Sequence, residues 1–140
     1  MIVANWNRLV QPDEIVFHLG DLALGKREQA EALIPTLHGK IHLMRGNHDR
    51  RGRAIFEGLG IRLVKDPLTL DLEPWPRLIF SHRPVFPLPP GALNPHGHIH
   101  NNPHPADPKG LGDLWGLYVN MSIEVRDYRP WRLGEILSNL

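Results

Sequence analysis

The chain contains no cysteine. That excludes disulfides and thiolate metal ligands, so any metal must be held by imidazole, amide oxygen or carboxylate. Long apolar runs are missing as well; none approaches the roughly 20 apolar residues that a membrane-spanning helix needs. The start, Met1-Ile2-Val3-Ala4-Asn5-Trp6, lacks both a basic segment and a sustained apolar one, so no secretory leader is expected and the cytoplasm is the expected location. Charge of one sign is not in excess. Sixteen Lys and Arg against fifteen Asp and Glu leave a net +1, which gives no electrostatic basis for a membrane partner, or for nucleic acid except as a substrate.

What is present in quantity is histidine, nine residues, and proline, fourteen. Clustered histidine without cysteine points towards metal or acid–base chemistry. A length of 140 residues fits one domain, 1–140, with a core of its own. Neither an internal repeat nor a dividing linker is visible.

The informative stretch is Arg45-Gly46-Asn47-His48-Asp49. It follows the apolar run Lys40 to Met44, a predicted strand, and precedes a basic segment, Arg50 to Leu59, with helical spacing. Ligands of open α/β sheets bind at the carboxyl ends of strands. Three other stretches share the design: His18-Leu19-Gly20-Asp21, Ile79-Phe80-Ser81-His82 and His96-Gly97-His98-Ile99-His100. Each sets metal-ligand side chains at the end of an apolar run.

The remaining elements follow from periodicity. Residues 2 to 10 read as an amphipathic helix, 14 to 19 as a strand, and Lys26 to Leu37 as a helix stopped by Gly39. Strand, helix, strand implies a parallel unit crossing over right-handed. Strands are expected at 61 to 64, 68 to 72, 77 to 80 and 117 to 124, the later ones forming a second, more antiparallel sheet. The proline-rich stretch Arg83 to Pro95 is expected to be loop, neither helix nor central strand. A second loop is expected over 101 to 112, with His104, Asp107 and Lys109, and a closing helix between Trp131 and Leu140. His18 reads as a core histidine with its hydrogen bonds satisfied. Arg50, Arg51 and Arg53 form either a solvated face or a phosphate-facing rim.

Asp21 sits among Leu19, Leu22, Ala23 and Leu24, where a carboxylate needs a cation or backbone donors. Two divalent metals roughly 3.5–4 Å apart can clamp a phosphate and activate water. Asp21 can bridge them, Asn47 can offer its amide oxygen, and His82, His98 and His100 one ring nitrogen each. Alternation in His98-Ile99-His100 puts both imidazoles on one face of an extended chain. His48 is free to protonate a leaving group, with Asp49 as its orienting partner. Nitrogen and oxygen ligation without sulfur suits Mn²⁺ first, with Fe or Zn²⁺ as alternatives.

The set Gly20-Asp21, Gly46-Asn47-His48-Asp49, Ser81-His82 and Gly97-His98-Ile99-His100 resembles the calcineurin-like metallophosphoesterase superfamily over nearly the whole chain. Asn5-Trp6-Asn7 and Asp127-Tyr128-Arg129-Pro130 are similar to its small bacterial and phage branch. The resemblance implies an α/β fold, a two-sheet sandwich with flanking helices in α-β-β-α layers, and a dinuclear site acting on a phosphomonoester or phosphodiester. It implies Asp21 as the bridging ligand, Asn47, His82 and His98 as the other ligands of the second metal, His100 as a ligand of the first, and His48 as the catalytic histidine.

The family's opening Asp-x-His has no counterpart before Gly20-Asp21, so its first strand is expected to be missing. A fragment or misplaced start, a natural short form and a non-catalytic relative compete as explanations. One well-held metal and one weak or empty position are expected. A second copy of the chain is one way to fill the gap, which puts a homo-oligomer among the expected partners.

Overall fold

The computed structural model describes residues 1–22, 25–103 and 117–138. Ala23, Leu24, the greater part of the loop expected over 101 to 112 with His104, Asp107 and Lys109, and the end of the closing segment at Leu140 lie outside the described residues.

Among the described residues, four helices and seven strands follow in the order α1 (Ile2–Leu9), β1 (Ile15–His18), α2 (Arg27–Leu33), β2 (Lys40–Met44), α3 (Arg53–Gly58), β3 (Arg62–Val64), β4 (Leu68–Leu70), β5 (Arg77–Phe80), β6 (Ala92–His96), β7 (Tyr118–Asn120) and α4 (Leu133–Leu137). The strands make two sheets, β1-β2-β3 and β4-β5-β6-β7. The fold is α/β, a two-sheet sandwich with flanking helices.

The first sheet is parallel throughout, with Val16 opposite Ile41 and Leu43 opposite Leu63. Along β2, side chains alternate between two cores. Ile41 and Leu43 pack with Trp6, Val10, Ala30, Ile34 and Phe56 of the helical layer. Met44 belongs instead to the core shared with Leu78, Phe80, Leu93 and Val119 of the second sheet and Ile136 and Leu137 of α4. Phe17 bridges the sheets by stacking on Phe80, with ring centroids 5.5 Å apart. The Asn5-Trp6-Asn7 triplet ties α1 down. Trp6 Nε1 donates to the His38 carbonyl, Asn7 takes the His38 N–H and donates to the Thr36 carbonyl, and Asn5 donates to the Tyr128 carbonyl.

Several expectations need correcting. The helix expected over Lys26 to Leu37 ends at Leu33 and passes into a 3₁₀ turn, Ile34–Thr36. Pro35 lacks the N–H and crowds the preceding turn, so the α-helix cannot continue through it. The helix expected from Arg50 starts only at Arg53. The second sheet is mixed: β4 and β5 are antiparallel, but β5-β6 and β6-β7 are parallel. The strand expected over 117 to 124 is β7 followed by a 3₁₀ turn, Ile123–Val125.

The largest correction is β6. It was expected to be loop, yet it lies between β5 and β7 and is buried at every position, Pro95 included. The proline leaves a gap in the ladder. Its carbonyl accepts the Ser81 N–H at 3.2 Å, and in a parallel ladder its own N–H would have gone to the carbonyl two residues earlier, that of Ile79. The fully buried side chain of Asn94 donates to that carbonyl instead, as well as to Ser81 Oγ, while its oxygen takes the Val85 N–H. A preceding amide thus substitutes for the missing donor, and the rule against central proline is overridden.

Candidate metal centre

Four loops leave the carboxyl ends of β1, β2, β5 and β6, all strands with parallel neighbours, and meet across the two sheets. Glycine permits the approach. A Cβ on Gly46 would lie 2.2 Å from Asp21 Oδ1 and 2.6 Å from the Asp21 nitrogen. A Cβ on Gly20, whose φ is +97°, would lie 2.3 Å from His82 Nδ1 and 2.8 Å from the Gly46 Cα. Asp21 and His98 adopt left-handed backbone, with φ of 57° and 67°. Such conformations are uncommon outside glycine and persist where the surroundings enforce them.

For Asp21 the enforcing group is Asp49. Its carboxylate is almost fully buried and accepts three backbone N–H groups: Asp21 at 2.6 Å, Gly46 at 2.8 Å and Leu22 at 3.1 Å. Asp49 was expected to orient His48. Among the described residues its oxygens serve the two loop backbones instead, so it joins the β1 and β2 loops. The His48 backbone N–H donates to Asp21 Oδ1 at 2.8 Å. His48 is exposed, and its imidazole has no hydrogen-bond partner among the described residues.

His82 occupies the middle of the cluster and is 3% exposed. Its Nδ1 lies 2.8 Å from the Leu19 carbonyl, which can only accept. A neutral imidazole donating there has a bare Nε2. Around that nitrogen stand Asn47 Oδ1 at 2.9 Å, His98 Nδ1 at 3.1 Å and Asp21 Oδ2 at 3.6 Å. Asp21, His82 and His98 each offer one ligand atom within 4.8 Å of the others.

When His98 carries its proton on Nε2, these four atoms have no hydrogen to share, and a cation satisfies all of them together. The spacing agrees. Ligands at about 2.1 Å from one ion stand about 3.0 Å apart at octahedral angles and about 3.4 Å apart at tetrahedral ones. The second shell is present too, since a ligating histidine commonly gives its other N–H to a carbonyl, here that of Leu19. His98 titrates below the usual histidine range because it is partly buried and because Arg83 and His82 lie near it. A neutral ring is the form that binds a metal.

The structure thus brings together Asp21, Asn47, His82 and His98, with Asp49 behind them and His48 beside them. His100 is set apart. It is about half exposed and its Nδ1 lies 2.8 Å from Glu124 Oε1. Among the described residues there is one four-donor cluster. The arginines expected at the rim are partly committed to backbone. Arg50 donates to the Asn47 carbonyl and Arg51 to that of Gly25, while Arg53 pairs with the Glu57 carboxylate. Sequence reasoning missed the Leu19 carbonyl, which carries no residue-type signal, and Glu124, whose only signal was its alternation with Asn120 and Ser122.

His18 also departs from expectation. Its Nδ1 is buried without a hydrogen-bond partner. The ring lies against Trp6, centroids 6.3 Å apart. Burial lowers its pKa to about 4, against the opposing pull of Asp49 and Asp21.

No helix of the described residues is long and apolar enough to cross a membrane. No family model matches the chain. A protein of unknown function, AQ665 from Aquifex aeolicus, has a similar fold, with a TM-score of 0.71 and 21% identity over 99% of this chain and 83% of that one. The Pseudomonas putida nuclease MPE aligns with a TM-score of 0.45 and 28% identity over 61% of this chain and 44% of that one. The uncharacterized protein MJ1445 of Methanocaldococcus jannaschii is 31% identical over 145 aligned positions, 97% of this chain and 71% of its own length. On that identity and coverage, the chain belongs to the family of MJ1445.

Proposed function

We propose that this single domain is a metal-dependent phosphoesterase of the calcineurin-like superfamily, hydrolysing a phosphomonoester or phosphodiester. The observation that carries the reading is the convergence of four candidate ligand atoms, from four strand ends, at spacings of 2.9, 3.1 and 3.6 Å around His82 Nε2.

Asp21, Asn47, His82 and His98 would hold a divalent cation, Mn²⁺ by preference for this nitrogen and oxygen set, with Fe or Zn²⁺ as alternatives. When bound, the cation supplies a Lewis acid for a phosphoryl oxygen and for water. The protein's own residues do the rest. The Leu19 carbonyl holds the tautomer of His82, and Asp49 holds the backbone that aims Asp21. His48, exposed and without a hydrogen-bond partner among the described residues, gives its proton to the departing oxygen. Arg83, exposed and next to His82, offers positive charge to the substrate phosphate.

A second reading is a non-catalytic domain that binds one cation. It is favoured by the single cluster among the described residues. The test is Mn²⁺-dependent hydrolysis of an aryl phosphodiester and an aryl phosphomonoester by the chain and by His48→Ala. The esterase reading expects turnover that needs Mn²⁺ and falls on the order of 10²- to 10⁴-fold in His48→Ala. Mn²⁺ binding with no turnover above the variant would sink it and leave the second reading.

A further inference from the structure

Arginines elsewhere in the fold are neutralised by carboxylates. Arg27 pairs with Glu31, Arg53 with Glu57, Arg77 with Asp71, Arg129 with Glu135 and Arg132 with Glu14. The loop that follows β2 is different. Arg45 donates through Nε and Nη2 to the Asp49 carbonyl, at 3.2 and 3.0 Å, and through Nη2 to the Arg51 carbonyl at 3.1 Å. Arg50 Nε donates to the Asn47 carbonyl at a longer 3.4 Å. Both arginines are exposed, and among the described residues neither has a carboxylate partner.

A carbonyl fixes a guanidinium in place without cancelling its charge. The Arg45 clamp spans the loop that carries Asn47 and His48, and it leaves Nη1 without an acceptor among the described residues. Arg50 leaves both Nη1 and Nη2 without one. Its anchor is the backbone of Asn47, whose side chain belongs to the donor cluster. Free guanidinium N–H groups of this kind match the oxygens of a phosphate. The carboxylate of the same loop, Asp49, cannot serve as their counter-ion, because it is buried and accepts three backbone N–H groups. The charge balance points the same way. A divalent cation would offset Asp21 and Asp49, and Arg83, which follows β5, offers one positive charge to one phosphodiester. Arg45 and Arg50 then remain as uncompensated cations in the loop of His48.

We propose that Arg45 and Arg50 form a binding site for a second phosphate group, so that the substrate is a phosphoester whose leaving group carries a phosphate of its own. The inference rests on the phosphoesterase reading above, in which His48 gives its proton to that leaving group. Its test reads binding and not turnover. Adenosine 5′-monophosphate and adenosine 3′,5′-bisphosphate differ by one phosphate, and each is titrated by calorimetry into the Mn²⁺-loaded chain. Wild type is expected to bind the bisphosphate about 10-fold tighter or more, as one added charge-assisted contact would give. Arg50→Gln removes a side chain that makes a single long contact with the protein, and it is expected to lose most of that preference. Arg45→Gln should lose it as well. Arg53→Gln, which changes an arginine already paired with Glu57, should keep it.

Equal affinity of wild type for the two ligands overturns the proposal and leaves the esterase reading standing. A preference that survives in both Arg45→Gln and Arg50→Gln overturns it too, because the second phosphate would then be held elsewhere. Binding of neither ligand to the Mn²⁺-loaded chain counts against the esterase reading itself, and the proposal falls with it.

Discussion

The buried carboxylate of Asp49 accepts the backbone N–H of Asp21 at 2.6 Å and that of Gly46 at 2.8 Å, joining two loops that leave different strands. Hydrogen bonds to an ionised group are worth about 1.5–3 kcal/mol each, and unsatisfied buried N–H groups carry their own penalty. Asp49→Ala should therefore cost about 3 kcal/mol or more in urea unfolding. It should also weaken divalent-cation binding, because Asp21 loses the contact that holds its left-handed backbone. Stability within 1 kcal/mol of wild type would show that the contact is dispensable.

Gly46 is the closest approach of the two loops. Adding a methyl group there sets a Cβ against both the backbone and the carboxylate of Asp21, while nothing lies within 4 Å of a Cβ on Gly52, six residues on. Overpacking of this kind costs about 1–3 kcal/mol. Gly46→Ala should lose cation binding and melt lower, and Gly52→Ala should do neither. Equal behaviour of the two variants would place the cation elsewhere.

A ligand that binds only the folded state stabilises it by about 2.7 kcal/mol at a hundred times its dissociation constant. For a domain of this size that is a rise of roughly 6–12 °C in Tm. The rise should appear on adding Mn²⁺ or Zn²⁺ and vanish on chelation. It should be lost in His82→Ala, since Nε2 of His82 touches the other donors. A rise of equal size in that variant would exclude the cluster as the binding site.

Acid should destabilise the fold through His18. Its folded pKa, about 4, lies below the ordinary 6.5 because of burial. Between those values the unfolded chain binds the extra proton, so stability is full above pH 6.5 and falls as the pH drops towards 4. The loss is at most about 3 kcal/mol for a shift of this size. His18→Leu should flatten the pH dependence of unfolding over that window. An unchanged slope would mean that the ring reaches water.

Much of this was legible along the chain. Apolar runs ending in Gly-Asp, Gly-Asn-His-Asp, Ser-His and Gly-His-x-His marked the strand ends, and the three-residue reach between Gly46 and Asp49 is local. Elements whose stability is local, such as α1 and the β1–α2–β2 unit, followed from periodicity. The strand β6 did not, because its proline is compensated by Asn94 acting on a carbonyl of β5, fifteen residues away. No pattern within the stretch 83 to 95 carries that information.

Residue chemistry by itself determined which atoms could serve as ligands: without cysteine, only imidazoles, carboxylates and amide oxygens remained. It also determined that they lie at strand ends, since hydrophobic periodicity stops where they begin. Tertiary structure decided which of them meet. It drew Asp21, Asn47, His82 and His98 together by packing two sheets and excluding side chains at Gly20 and Gly46. It turned Asp49 from His48 to backbone, and it gave His100 to Glu124. The reason is physical: periodicity is written in neighbours a few residues apart, whereas these partnerships span 16 to 35 residues and exist only once the strands carrying them are in register.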